Sequence, residues 1–182
     1  MIKLLDTENT GLVIVDVQER LMPVMVRRQS VIDNIVKIIH LARLYKLPVI
    51  LTEQYPKWLG STLPEIADSV PAFDPIKKMH FNCCDDDTFN ERLDSAGLKN
   101  IIITGVEAHI CIFQTCISIL DRGYTVHVPQ DAVDSRTEDN LCVGLELMKK
   151  AGAVITSTET VIYQILKKAG TNEFKKMLKL IK

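Results

Sequence analysis

The sequence predicts an α/β protein with a three-layer, Rossmann-like fold: an open, mostly parallel sheet of five or six strands with helices on both faces. Three observations lead there. Short runs dense in Val, Ile and Leu alternate about five or six times with longer segments whose apolar residues recur at helical spacing. The short runs show little polar–apolar alternation, as expected of strands buried on both faces between helices. The composition, 47% hydrophobic but only 5% aromatic over 182 residues, describes an aliphatic core of the size one domain (residues 1–182) can enclose. Right-handed crossovers impose this layering, and in such folds ligands bind beyond the C-terminal ends of the strands.

Residues 10–17 (TGLVIVDV) form the first apolar, β-branched run, with Asp16 at its C-terminal end. Val31, Ile35, Ile38, Ile39 and Ala42 define one face of a helix over 31–45. Residues 47–52 (LPVILT) read as the second strand, with Pro48 tolerated near its start. Residues 53–75 then break the pattern with four prolines, a glycine and the only tryptophan, Trp58. Ordered connections of this length are often functional. A short strand is expected at 76–79. A helix over 85–96 opens on Asp85, Asp86 and Asp87, which suit capping and the helix dipole better than a metal site. Residues 100–104 form the next strand and 110–122 its helix, closed by Gly123. A strand at 124–128, a helix at 138–151 closed by Gly152, a strand at 153–156, and helices at 160–168 and 172–181 complete the chain.

Composition excludes several functions. A formal net charge of -1 with no long basic run argues against nucleic-acid binding. Lys167, Lys168, Lys175, Lys176, Lys179 and Lys182 fall at helical spacings and read as a solvated helix face. No apolar run is long enough to span a membrane and no leader-like segment is evident. The five cysteines, Cys83, Cys84, Cys111, Cys116 and Cys142, are odd in number and unevenly spaced, so reduced thiols in a cytoplasmic compartment are expected.

The stretch KNIIITGVEAHICIFQTC, residues 99–116, carries the chemistry: a buried strand, a glycine-bearing turn and an apolar helix with Cys111 just inside it. Free amides at a helix start favour a thiolate, lower its pKa and can bind an oxyanion. The alternative is a small buried hydrophobe, the natural reading of Cys116 and Cys142. Cys83 and Cys84 are loop thiols without the usual C-x-x-C separation of a metal pair. Asp16 can serve as a cap or as a general base. A lysine facing inward is costly unless paired, so Lys78 beside Asp16 would act as its partner; Lys77 competes for that role, strand alternation allows only one to point inward, and the alternative for either is a solvated surface charge. His109, two residues from Cys111, faces elsewhere and reads as a turn or pocket residue.

Asp16 in IVDVQ, Lys78 in KKMHF and Cys111 in GVEAHIC resemble the Asp–Lys–Cys triad of the isochorismatase-like cysteine hydrolases. The similarity runs on through QTCISILDRGYTVHVPQDAVDS and TSTETVIYQIL, and TEQYPKWLGSTLPEI resembles the branch called isochorismatase-domain-containing proteins. The resemblance implies that Asp16 takes the Cys111 proton beside Lys78. It implies that backbone amides of Glu107, Ala108 and Cys111 hold an oxyanion and that the Val106–Glu107 peptide is cis. It further implies hydrolysis of a small amide, ureido or related C–N bond through a thioester, without a cofactor. Nicotinamidase relatives bind a metal through an Asp-x-His segment and a second histidine after the second strand; here that region reads Thr52-Glu53-Gln54-Tyr55-Pro56, so no metal is expected. True isochorismatases do not use the cysteine. The substrate pocket is expected from Gln18, Tyr55, Trp58, His80 and Phe81, and the family's habit of assembly implies a homo-oligomer, a dimer or larger, acting on a small molecule. The alternative is a catalytically silent scaffold or interaction protein on the same fold.

Overall fold

Six consecutive buried residues, Thr10–Val15, form β1, the strand on which the sheet is built. The computed structural model describes residues 3–181, so Lys182 lies outside it. After β1 come α1 (Arg28–Tyr45), β2 (Val49–Gln54), two short helices α2 (Pro56–Leu59) and α3 (Pro64–Ala67), β3 (Ile76–Lys78), α4 (Asp87–Ser95) and β4 (Asn100–Val106). There follow α5 (Phe113–Asp121), β5 (Thr125–Pro129), β6 (Val133–Asp134), α6 (Glu138–Lys150), β7 (Val154–Thr156), α7 (Thr158–Leu166) and α8 (Asn172–Ile181).

The sheet is open, in the order β3-β2-β1-β4-β5-β7, with β6 added to β4, and its ladders are parallel. Among the described residues it therefore has seven strands where the sequence predicts five or six. The extra one, β6, has two residues paired with Gly105 and Val106 beyond the reach of β5, too short to leave a pattern of its own.

Strand alternation divides the core. Leu12, Ile14, Leu51 and Ile102 face α1, α7 and α8 through Ile35, Ile39, Ile162 and Met177. Val13, Val15, Ile103 and Val126 face α4, α5 and α6 through Phe89, Cys116, Ile119 and Met148. Each such aliphatic side chain removed from water contributes about 1.5–3 kcal/mol. Local signals set the helix starts: the side chains of Asp86, Thr137 and Ser157 accept the amides of Phe89, Asn140 and Thr160. On α8, Lys175, Lys176 and Lys179 are exposed while Met177 is buried.

The topology positions the site. From β1 the chain adds strands to one side, then crosses to β4 and adds strands to the other. The β1–β4 boundary is thus the switch point, and the crevice opens at the C-terminal ends of these strands.

Candidate active site

Asp16 is the first residue beyond β1 and is fully buried. Its backbone is left-handed, φ 55, an unusual state for a residue with a side chain. Such a conformation costs about 1–3 kcal/mol and persists only where surrounding contacts impose it. Those contacts are present: Oδ1 accepts the Thr52 hydroxyl at 2.7 Å and Oδ2 accepts Lys78 Nζ at 2.7 Å.

Lys78 ends β3, where alternation buries Ile76 and Lys78 and exposes Lys77, so Lys78 is the inward lysine. It is only 1% exposed. The β2–β3 register sets it opposite Gln54, whose Oε1 accepts Nζ at 2.7 Å. The carbonyls of His80 and Phe81 accept it at 3.2 and 3.4 Å. Burial alone would push the Lys78 ammonium down, but the Asp16 carboxylate, with Cys83 and Cys111 behind it, holds it above the ordinary lysine value.

From β4 the chain enters the Cys111 turn. The Val106–Glu107 peptide is cis. Gly105 has φ 112, and a Cβ there would meet the Val15 backbone, so only glycine fits. The predicted helix start is instead a single π turn, Ala108–Ile112, with the Glu107 carbonyl accepting the amides of Ile110 and Ile112. Turns of this kind are frequent at functional sites. Gly144 of α6 packs against the turn; a Cβ there would lie 2.7 Å from the Ala108 carbonyl oxygen and 2.9 Å from the His109 nitrogen.

Cys111 is buried in the turn. The sequence predicts a thiol pKa lowered by the helix start; the structure reverses that. Burial first, then the Asp16 charge, push the thiol well above its ordinary value, and Lys78 offsets them only in part. Cys111 is therefore a thiol at rest, with a carboxylate beside it able to receive its proton.

The remaining predicted residues divide. Gln18 is fully buried: its Nε2 donates to the carbonyls of Gln54 (3.0 Å) and Gly60 (2.7 Å), and its Oε1 accepts the Gln54 amide at 2.7 Å. It clamps the segment carrying Tyr55 and Trp58 to the end of β2. His80 and Phe81 touch Lys78 through main-chain carbonyls while their side chains are exposed, as are those of Tyr55 and Trp58, the last at 66%. His109 Nδ1 pairs with Ser135 Oγ at 2.9 Å. Glu107 accepts Arg136 Nε at 2.9 Å, which ties its side chain beside the turn. All five cysteines are free, and Cys83 is fully buried with its amide on Thr115 Oγ1 at 3.0 Å. Among the described residues no group of three or more His, Cys, Asp or Glu is arranged to hold a metal. A surface cavity of about 890 Å3, lined by Gln130, Glu146, Lys149 and Thr156 among others, includes none of these residues. Sequence reasoning missed Thr52, Gln54 and Gly144; the first two share a face by strand alternation, a signal that was available, whereas nothing local marks Gly144.

The family model described as the isochorismatase domain matches residues 10–160. The chain belongs to the isochorismatase family. Among curated relatives in the family, the secreted isochorismatase effector Isc1 of Phytophthora sojae is 37% identical over 177 residues, covering 94% of this chain and 83% of the relative. Isochorismatase domain-containing protein 2 of Danio rerio is 31% identical over 177 residues, covering 97% and 89%. Among solved structures, the MAR1 ribonuclease of Caenorhabditis elegans superposes with a TM-score of 0.92 at 33% identity, covering 98% of this chain and 92% of that one. The Escherichia coli ycaC gene product, described as an octameric hydrolase of unknown specificity, superposes with a TM-score of 0.93 at 22% identity, covering 99% and 91%, and shares the fold. An isochorismatase-type hydrolase fold is thus established for this chain. Among the described residues no helix is long and apolar enough to cross a membrane.

Proposed function

We propose that this protein is a cysteine hydrolase that cleaves a small amide, ureido or related C–N bond, with Asp16, Lys78 and Cys111 as its catalytic triad. The observation that carries the reading is the buried Lys78–Asp16 pair, 2.7 Å apart, beside the Cys111 thiol at the switch point of the sheet. A buried ion pair is poor value as a stabiliser, because desolvation consumes much of its Coulomb attraction. Its placement next to a nucleophile therefore supports a chemical role.

The cycle follows from the contacts. The Cys111 proton passes to Asp16 as sulfur bonds to the substrate carbonyl carbon, so a thiol that is protonated at rest is no obstacle. Amides of Cys111 and of the Glu107–Ala108 turn receive the negative charge on the carbonyl oxygen. The tetrahedral adduct collapses, the C–N bond breaks, and Asp16 protonates the departing nitrogen. Asp16 then takes a proton from water as its oxygen attacks the thioester carbon, and the released sulfur regains that proton. Lys78 offsets the Asp16 charge throughout. Side chains, backbone amides and water supply every step, so the scheme calls for no cofactor.

Tyr55, Trp58, His80 and Phe81, exposed on segments flanking Lys78, offer a rim for a small substrate and a surface for a second copy of the chain. Light scattering after size exclusion is expected to show at least a dimer, and a monomer at micromolar concentration would refute that part. Free cysteines and a required Cys111 thiol fit a reducing, cytoplasmic setting.

The test is a panel of small amides, ureides and carbamates run against the wild type and Cys111→Ala, with mass spectrometry of the stalled enzyme. Turnover abolished by Cys111→Ala, together with an acyl adduct on Cys111, is expected. Turnover that survives the substitution rules out the thioester route, and no turnover across the panel leaves a scaffold on a hydrolase fold.

A further inference from the structure

Two uncharged residues of β2 frame the buried pair. Alternation along the strand turns Thr52 and Gln54 to one side, where they meet Asp16 and Lys78 at 2.7 Å each. Glu53, between them, turns away and accepts the amide and hydroxyl of Thr62 at 2.8 and 2.9 Å. The Gln54 amide has a fixed orientation. Its Nε2 donates to the Met79 carbonyl at 2.8 Å, a group that only accepts, so Oε1 is the atom that faces Lys78. Gln18 grips its main chain from both sides.

Lys78 Nζ thus sits among four acceptor oxygens: Asp16 Oδ2, Gln54 Oε1 and the carbonyls of His80 and Phe81. An ammonium has three protons to donate and no lone pair; a neutral amine has two protons and a lone pair that would face an oxygen. The other titratable groups facing it are the Cys83 and Cys111 thiols.

We propose that Gln54 is a positioning residue that locks Lys78 as an ammonium ion, so that Lys78 is a fixed cation and Asp16 alone shuttles the proton. Thr52 complements this by occupying Asp16 Oδ1 while Lys78 occupies Oδ2. The inference deepens the hydrolase reading and rests on it for the proton's path, whereas the charge state of Lys78 is measurable without a substrate.

The experiment is a 15N NMR titration of Lys78 Nζ in the full-length wild type, Gln54→Met and Gln54→Glu, with Lys78→Met used to assign the signal. In the wild type the ammonium is expected to persist to about pH 10 or beyond, the ordinary lysine limit. Losing one charge-assisted hydrogen bond in Gln54→Met should lower the midpoint by about one to two pH units. Gln54→Glu again offers an acceptor and should not lower it. Where a substrate is in hand, the alkaline limb of kcat/KM should move with the Gln54→Met midpoint. Coincident wild-type and Gln54→Met titrations would overturn the proposal, as would a Gln54→Glu midpoint that falls like that of Gln54→Met. A neutral amine in the wild type near pH 8 would overturn it even if no variant folds. Absence of turnover across the substrate panel sinks the hydrolase reading and leaves this titration to decide the lock.

Discussion

Replacing Lys78 by Met removes the cation while the flexible side chain keeps much of the lysine stem's volume. Asp16 then stays fully buried with the Thr52 hydroxyl still donating to Oδ1, and Gln54 Oε1 loses its partner. At 2.7 Å the direct attraction is about 6 kcal/mol for an effective dielectric constant of about 20. Desolvation of the two charges takes back part of that, and breaking a buried pair by removing one member typically costs about 3–5 kcal/mol. For a chain of this size each kcal/mol lowers Tm by about 2–4 °C, so a drop of roughly 6–20 °C is expected. The penalty must depend on pH in a definite direction. What is stranded is a buried charge, and acid removes that charge. The loss is therefore largest at neutral and alkaline pH and shrinks on acidification. Adding Asp16→Asn removes the stranded charge and should recover most of the loss. Urea unfolding of the single and double variants near pH 5 and pH 8 measures this. A Lys78→Met protein within about 1 kcal/mol of wild type at pH 8, or a loss that neither acid nor Asp16→Asn relieves, would refute the reasoning.

Other substitutions test separate parts of the molecule. Since the Asp16 charge raises the Cys111 thiol, Asp16→Asn should speed iodoacetamide labelling of Cys111 near neutral pH while lowering turnover about 10²–10⁴-fold; slower labelling would contradict this electrostatic account. Gly144→Ala should raise helix propensity by about 1 kcal/mol yet push the Ala108–His109 backbone off its position, so kcat should fall about tenfold or more with circular dichroism unchanged. His127 is fully buried, neither ring nitrogen has a hydrogen-bond partner among the described residues, and burial lowers its pKa. Below about pH 6.5 the unfolded state binds a proton that the folded state refuses, so stability falls toward the lowered folded value by at most about 1.4 kcal/mol per pH unit; His127→Leu should flatten this acid slope in urea titrations.

Much of the fold is legible because its causes are local. The aliphatic runs at Thr10–Val15 and Asn100–Val106 and the helical spacing of Val31, Ile35 and Ile39 each report burial directly through periodicity. Caps at Asp86 and Thr137 lie within three residues of the amides they satisfy. What escapes is short or depends on a distant partner. β6 has two residues and exists because the end of β4 is left uncovered by β5. Nothing near Gln18 in the sequence marks the carbonyls of Gln54 and Gly60, 36 and 42 residues away, as its hydrogen-bond partners.

The sequence by itself determined the layered parallel fold, the family, and the candidacy of Asp16, Lys78 and Cys111, since these rest on patterns within single segments. Only the tertiary structure decided that Thr52 and Gln54 frame the Lys78–Asp16 pair, that Gly144 supports the Cys111 turn, and that the thiol is raised. The physical reason is common to all three. Burial and charge are properties of a position in three dimensions, and a thiol at a helix start has its proton held by whatever carboxylate and low-dielectric wall the rest of the chain folds against it.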